Sequence, residues 1–510
     1  MWLLDGLEKM KNSDRDAVID SGGASSFRDI WVKSNIFGRL ILSLDESGEK
    51  APILIYGDKH RDIIPAMASA LMTGRAYVPV DISFPIERLE FIAKKTSSSV
   101  IFNFSDRDLS SLPYHIIDGK NYFGNANGSD LANGNEIDKS LWVCDNDICY
   151  IIFTSGSTGE PKGVPVTKKN LLSFLSFVSK AFEPEKHGDF VLNQASYSFD
   201  FSVEVIYLYL ALGKTLVCID KEMMKDTEYL IKFISDNKVA IWSGTPSFLD
   251  ICRKSRNFTQ KNVPSLEMFI LGGEILTKST ASFILENFKD TILLNVYGPT
   301  ETTVMVSAVR VTEEMIADEK SISIGYIMPG ADYLIEKENG DLAKDGEAGE
   351  LIIIGESVVD GYYKDEEKTA KSFFTSPDGR RAYRTGDIVY SCGGLLYFCG
   401  RRDFMVKLSG YRIELEDITH AILSLKEVAG ACVIPHYSAD GKAEYIAAVI
   451  VLEEKYKALS VLSANITVKK ALSEKLQSYM IPRKLFFTDE MPLNTNGKID
   501  TKELKARFGI

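Results

Sequence analysis

The sequence predicts an α/β protein in two parts: a large N-terminal domain of layered α/β sheets plus a small β-barrel, followed by a small α+β C-terminal domain. Three observations predict it. Short β runs alternate with helical patterns through the first 140 residues, and a glycine-rich loop follows an apolar run at 150–164. From about residue 320 the pattern turns to short β runs that end in a basic junction near 401. A chain of 510 residues also exceeds what one hydrophobic core usually serves.

In chain order, the spacing predicts strands at Pro52–Tyr56, Ala76–Val80 and Ser99–Asn103, alternating with helices at Ile64–Thr73 and Ile86–Thr96. Alternation at this spacing argues for parallel strands with helices on their faces. Gly124 to Asn135, with three glycines and four asparagines, reads as a surface loop. Tyr150 to Phe153 reads as a buried strand, and Thr154 to Gly163 then holds three glycines, four hydroxyls and Lys162. Such a segment brings its backbone close to an anion and supplies hydroxyl donors and a mobile cation, as a phosphate cradle does. A solvated Ser/Gly turn has the same composition. The P-loop pattern fails, because Gly163 rather than Ser or Thr follows Lys162.

Thr167 to Phe182 has helical spacing, and Val191 to Ser202 starts as a strand and becomes an aromatic turn. Asp200 sits among Tyr197, Phe199 and Phe201, a poor place for a carboxylate unless a cation joins it. An ammonium ligand is one reading; a cap on the helix that begins near Ser202 is the other. Met268 to Glu274 is a strand ending in two glycines, and Thr291 to Val296 a strand leading into Tyr297-Gly298-Pro299-Thr300-Glu301. That corner offers an aromatic face, a hydroxyl and a carboxylate, although Gly-Pro-Thr is also a common turn. Tyr333–Glu336 and Glu350–Ile354 are short strands, and a Gly-Gly hairpin follows at 393 and 394. The domain boundaries fall at 1–400, a linker at 401–404, and 405–510, with helices around Glu414–Ser424 and Val468–Tyr479.

The bulk composition, 45% hydrophobic and 25% charged, is that of a soluble globular protein. The apolar stretch Val203 to Ile219 is interrupted by Glu204, Gly213 and Lys214, and reads as core instead of a membrane span. The first residues carry no basic leader and include Asp5 and Glu8, so a cytoplasmic location is expected. Net charge of −12 argues against nucleic acid as partner, and its division, −15 over the first 400 residues and +3 over the rest, suits an acidic partner only weakly. Seven cysteines without a Cys-x-x-Cys pair predict reduced thiols and no zinc site.

Taken together, these motifs resemble the adenylate-forming superfamily that contains acyl-CoA ligases, luciferases and the adenylation domains of peptide synthetases. The matching segments are Thr154–Gly163, Tyr297–Glu301, Tyr383–Asp387, Gly400–Gly410 and Asn494–Asp500, in that order over nearly the whole chain. Asp200 stands where the amino-acid-activating branch holds its substrate's amino group. Finer similarity, in Val78–Pro85, Leu192–Ala195, Thr245–Phe248 and Met480–Lys484, points to the D-alanine:D-alanyl carrier protein ligases. One position departs: Gly272 stands where those ligases usually have cysteine beside the substrate methyl. A void of roughly a thiomethyl group is therefore expected there, with looser reading of alanine's size and chirality.

The resemblance implies ATP-dependent activation of a small amino acid, D-alanine favoured, and transfer to the phosphopantetheine thiol of a carrier protein in lipoteichoic acid biosynthesis. The alternative is a stand-alone ligase that loads another amino or aryl acid onto a carrier protein or coenzyme A. It implies ATP and Mg²⁺ as cofactors, with Glu301 on the metal. Thr154, Ser155, Gly156, Ser157, Thr158, Gly159 and Lys162 hold phosphates; Asn295, Tyr297, Gly298, Thr300, Asp387 and Arg401 complete the nucleotide site. Asp200, Gly272, Gly273 and Val304 surround the amino acid. Lys498 is the expected catalytic cation, and a mobile C-terminal domain turns about Asp403. No membrane insertion is expected, and the protein is expected to act as a monomer.

Overall fold

The computed structural model describes residues 2–44, 48–123, 135–154, 160–402, 405–492 and 499–510. The chain forms two compact units, one of Met1–Ile82, Leu89–Phe153 and Gly163–Arg402, the other of Ser83–Arg88, Thr154–Lys162 and Asp403–Ile510.

The first unit holds two large sheets. One runs in the order His115–Asp118, Val100–Asn103, Ile53–Gly57, Tyr77–Asp81, Ile148–Thr154, Lys162–Thr167. Its first five strands pair in parallel, and Ile53–Gly57 and Tyr77–Asp81 are buried at every position. Burial on both faces is why these strands read as continuous apolar runs without alternation. The 155–161 connection joins adjacent strands, so a strand follows the glycine-rich segment where a P-loop would have a helix. The helix comes next, Lys168–Phe182, started by a capping box between Thr167 and Asn170.

The other sheet has nine strands among the described residues. Their order is Tyr326–Ile327, Ser307–Arg310, Ile292–Tyr297, Met268–Gly272, Ile241–Gly244, Phe190–Asn193, Thr215–Cys218, Asp16–Asp20, Gly23–Ser26. The strands from Ile292–Tyr297 across to Asp16–Asp20 are parallel, and antiparallel strands flank them. The barrel expected after residue 320 takes the form of a five-stranded antiparallel sheet. Its 12-residue strand Arg381–Cys392 pairs with Gly349–Ile354, Phe373–Thr375 and Leu395–Arg401, and among the described residues the ladders do not close into a ring. Gly393 and Gly394, both at positive φ, make the tight turn between Cys392 and Leu395.

The second unit carries the hairpin Met405–Leu408 and Tyr411–Glu414 and a three-stranded sheet of Val428–Tyr437, Ala443–Leu452 and Lys484–Phe487. Helices Leu415–Leu423 and Val461–Ser473 pack apolar residues such as Ile418, Ile422, Val468 and Leu472 into its core. The second of these helices begins seven residues before the expected Val468, from a Ser460 cap, because its first turns keep Val461, Leu462 and Ile466 exposed and so break the apolar period. Elements that periodicity does not announce fill residues 3–44. The helix Phe27–Leu44 buries Ser34, Asn35 and Gly38 in the same stripe as Ile30, Trp31 and Phe37, which blurs its pattern.

Candidate functional site

Parallel strands of the nine-stranded sheet end together at Asn193, Gly244, Gly272 and Tyr297. In open α/β sheets the carboxyl ends of the strands are where ligands bind. Of the residues expected around nucleotide and amino acid, Gly272, Gly273, Asn295, Tyr297, Gly298 and Thr300 lie on or next to these ends.

At Tyr297 the chain turns back on itself. Val306 N–H donates to the Tyr297 carbonyl, and a Cβ added at Gly298 would lie 2.4 Å from Met305 Cα. Only glycine fits so close a backbone approach. Between these points Thr300–Glu301–Thr302 form one 3₁₀ turn, and Thr303 and Val304 both lie in the left-handed region with φ of 62° and 69°. Two successive β-branched residues there store strain of about 1–3 kcal/mol each. The Thr303 hydroxyl donates to the Ser357 carbonyl at 2.6 Å and helps hold that conformation.

Asp387 ties this corner to the five-stranded sheet. It is 1% exposed; Tyr297 donates its hydroxyl to Oδ2 at 2.5 Å, and Arg401 donates to Oδ1 at 2.6 Å. Asp387 and Arg401 face each other across paired strands. Burial, then the Asp387 charge, pushes the Tyr297 phenol well above its usual range, so it stays a donor. Glu301 is fully buried, and its Oε1 accepts the Tyr362 hydroxyl at 2.9 Å. Asn295 donates to the Ser323 carbonyl at 2.7 Å and thereby fastens the strand beneath the corner.

Asp200, 4% exposed, sits at the start of the helix Phe201–Glu204 but makes no side-chain cap hydrogen bond, which removes the capping alternative. Phe199 and Phe201 stack beside it with ring centroids 6.1 Å apart. A Cβ added at Gly273 would meet Phe199 at 3.2 Å. At Gly272 it would lie 2.6 Å from Val296 Cγ2, 2.7 Å from the Val296 carbonyl oxygen and 3.0 Å from Phe201. The void expected at Gly272 is therefore absent: Val296 and Phe201 fill the space a cysteine side chain would enter.

The segment that carries Asp200 is pinned from the other sheet of the same unit. Lys59 is buried; its ammonium donates to Asn193 Oδ1 at 2.7 Å and to the Ala195 carbonyl at 2.6 Å, and lies 3.7 Å from the centre of the Tyr197 ring. Asp81 accepts the Ser196 hydroxyl at 2.6 Å and an ion pair from Lys221. Burial pushes the Lys59 pKa down to about 8.

Thr154 ends its strand with a buried hydroxyl that meets no partner among the described residues, and Lys162 opens the next strand. Ser155, Gly156, Ser157, Thr158, Gly159, Asp403 and Lys498 lie outside the described residues.

With this geometry in place, likeness to known proteins becomes decisive. Residues 8–363 match the family of AMP-binding enzymes, and residues 417–498 match the AMP-binding enzyme C-terminal domain. The chain belongs to the AMP-binding enzyme family. It is 36% identical over 514 aligned residues to D-alanine–D-alanyl carrier protein ligases of Bacillus cereus and Bacillus cytotoxicus, covering 99% of each chain. Among solved structures, Vibrio cholerae AlmE, an adenylation domain in complex with glycyl-adenosine-5′-phosphate, superposes with a TM-score of 0.82 at 21% identity, covering 99% of this chain and 97% of that one. Bacillus subtilis o-succinylbenzoate CoA synthetase gives 0.82 at 20% identity over 99% and 98%. These two likenesses speak to the fold.

Sequence reading of this AMP-binding enzyme misses Tyr362 and Lys59. Nothing local marks a tyrosine that reaches a carboxylate 61 residues away, or a lysine buried by strands distant in sequence. Three outcomes follow from the geometry. Asp387→Asn removes the charge that Arg401 faces and costs about 3–5 kcal/mol in chemical denaturation. Gly272→Ala forces the Val296 backbone aside and lowers stability by about 1–3 kcal/mol; an unchanged melting temperature would show that the strand yields freely. For Lys59 the folded pKa of about 8 lies below the ordinary 10.5. The unfolded chain then holds the extra proton between these values, so stability rises from about pH 8 to 10.5. Lys59→Met removes that rise, and denaturation curves of variant and wild type that keep a constant offset from pH 7 to 10 would refute it.

Proposed function

We propose that this enzyme uses ATP to convert a small amino acid into its aminoacyl-adenylate and passes the acyl group to the phosphopantetheine thiol of a carrier protein, with D-alanine the acid to test first. The observation that carries this reading is the full-length likeness to D-alanine–D-alanyl carrier protein ligases, with Asp200 buried between two phenylalanines at the strand ends.

In the first step the amino acid carboxylate attacks the α-phosphorus of ATP, the new O–P bond forms, and pyrophosphate leaves. Both reactants are anions, so the protein's work is to neutralise and align them. Asp200 takes the α-ammonium, where its own burial makes a cation welcome. Tyr297 offers a ring face to the base. Asp387, already fixed by Tyr297 and Arg401, keeps further lone pairs for the ribose hydroxyls. Thr300 donates to the α-phosphate, and 154–162 with Lys162 cradle the outer phosphates. Gly298, Asn295, Gly272, Gly273 and Val304 shape the walls. A buried carboxylate beside threonine hydroxyls suits a hard cation that takes most of its ligands from phosphate oxygens, so Glu301 would hold Mg²⁺. That ion, when bound, shields phosphate charge. Among the described residues no cluster of three His, Cys, Asp or Glu holds a metal by protein ligands alone.

Lys498 bridges the α-phosphate and the substrate carboxylate, a role for a long flexible cation. In the second step the thiol attacks the acyl carbon and AMP leaves, without need of Lys498. The chain divides at 401–404, with Asp403 as hinge between a 1–400 adenylation domain and the 405–510 domain. We place the enzyme in the cytoplasm as a monomer.

ATP–pyrophosphate exchange over D-alanine, L-alanine, glycine, larger amino acids and benzoates tests the reading; exchange with an aryl acid alone would overturn it. Lys498→Ala abolishes exchange while sparing thioester formation from a supplied adenylate, and loss of both would remove its assigned role. Asp200→Asn raises the KM for the amino acid by about 100-fold and leaves that for ATP nearly unchanged, because a desolvated charge-assisted bond to the ammonium is lost.

A further inference from the structure

One turn beyond Asp200 stands a second carboxylate that the reaction above does not use. Glu204 closes the helix Phe201–Glu204 and is 0% exposed. Asp200 itself has helical backbone angles, so residues 200 and 204 share one helix face, with Cβ atoms about 5–6 Å apart. Phe201, next to Asp200, reaches Gly272, and Glu204 reaches the next strand end: its Oε2 accepts the Ser243 hydroxyl at 2.6 Å, beside Gly244. The pair therefore stands over the strand ends where the amino acid is proposed to bind.

The other oxygen of Glu204, Oε1, is buried and has no hydrogen-bond partner among the described residues. The Tyr209 hydroxyl lies close enough to Glu204 to lower its pKa, although neither that hydroxyl nor Oε1 has a partner at normal hydrogen-bond geometry. No described charged group acts on the carboxylate; burial dominates and raises its pKa to about 7. Immediately after Glu204 the helix widens into a π turn, Val205–Tyr209. Such insertions recur at functional sites, where they re-aim side chains. A carboxylate oxygen left without a well-placed donor in an apolar interior is costly, and a bound cation removes the cost.

We propose that Glu204 is a second cation site in the substrate pocket, and that the acid this enzyme prefers carries a short side chain ending in an ammonium. This rests on Asp200 holding the α-ammonium as proposed above. The spacing of one helical turn suits a small diamino acid with its two nitrogens two or three carbons apart, one on each carboxylate. Alanine would satisfy Asp200 and leave Glu204 bare. A serine-like hydroxyl would donate one hydrogen bond but bring no charge to balance a buried anion.

The test is ATP–pyrophosphate exchange by the full-length enzyme with both enantiomers of 2,3-diaminopropionate and 2,4-diaminobutyrate, set against D-alanine and D- and L-serine. The panel is repeated with Glu204→Gln and Glu204→Met, each first checked by thermal melting. Expected is a kcat/KM for a diamino acid at least about ten-fold above that for alanine, and a ratio that collapses by a similar factor in both variants, as loss of one charge-assisted bond implies. If alanine or serine equals the diamino acids in the wild type, the second site is overturned and amino acid activation stands. A diamino preference that survives both variants overturns the role of Glu204. Exchange confined to aryl acids overturns the proposed function itself. Should both variants fail to fold, the wild-type panel alone decides.

Discussion

Asp387 is a buried anion with a phenol on one oxygen and a guanidinium on the other, and the corner after Tyr297 depends on that arrangement. Tyr297 ends a strand of the nine-stranded sheet, and Arg401 ends a strand of the antiparallel sheet. Neither sheet alone could bury the carboxylate, because each supplies only one of the two donors it needs. Removing water from an aspartate is tolerable only when both oxygens are met, so the two sheets are committed to one mutual position. Within the first unit this links the hairpin that bears Thr300 and Glu301 to the strand pair that bears Asp387 and Arg401.

The segment that leads to Asp200 rests on a separate anchorage. Lys59 and Asp81 follow or end strands of the six-stranded sheet, and together they hold Asn193, Ala195 and Ser196, the residues that lead into Asp200. A lysine that donates to a backbone carbonyl fixes a loop more firmly than a surface ion pair, since the bond is shielded from water and salt. The loop thus reaches its place by backbone restraint, and its phenylalanines then close over the glycines at 272 and 273.

Much of this was legible in the sequence. The strand–helix alternation between 52 and 103 is strong because parallel strands covered on both faces must be apolar throughout, and their spans fall within a residue or two of the expected ones. The corner at Tyr297, Thr300 and Glu301 was legible as one unit for a different reason: its residues are neighbours along the chain, so one short motif holds it. What the sequence hides is any contact made across long separation. Tyr362 on Glu301, Ser243 on Glu204 and Lys59 on Ala195 join residues 39 to 136 positions apart, and each partner looks ordinary in its local surroundings. Gly272 misleads for the same reason. Its Cβ direction is set by the neighbouring strand at Val296, which no reading of 268–274 alone can reveal.

The two anchorages share no side chain. Under the proposed function, selection acting on the acid can therefore work through the short helix after Asp200 and the strand ends beneath it, while the Tyr297–Asp387–Arg401 arrangement proposed to grip ATP stays as it is. A gene with this layout diversifies cheaply: a duplicate needs a few replacements near residues 204, 243 and 272 to take up a new building block, and it inherits a working energy-coupling half from its parent.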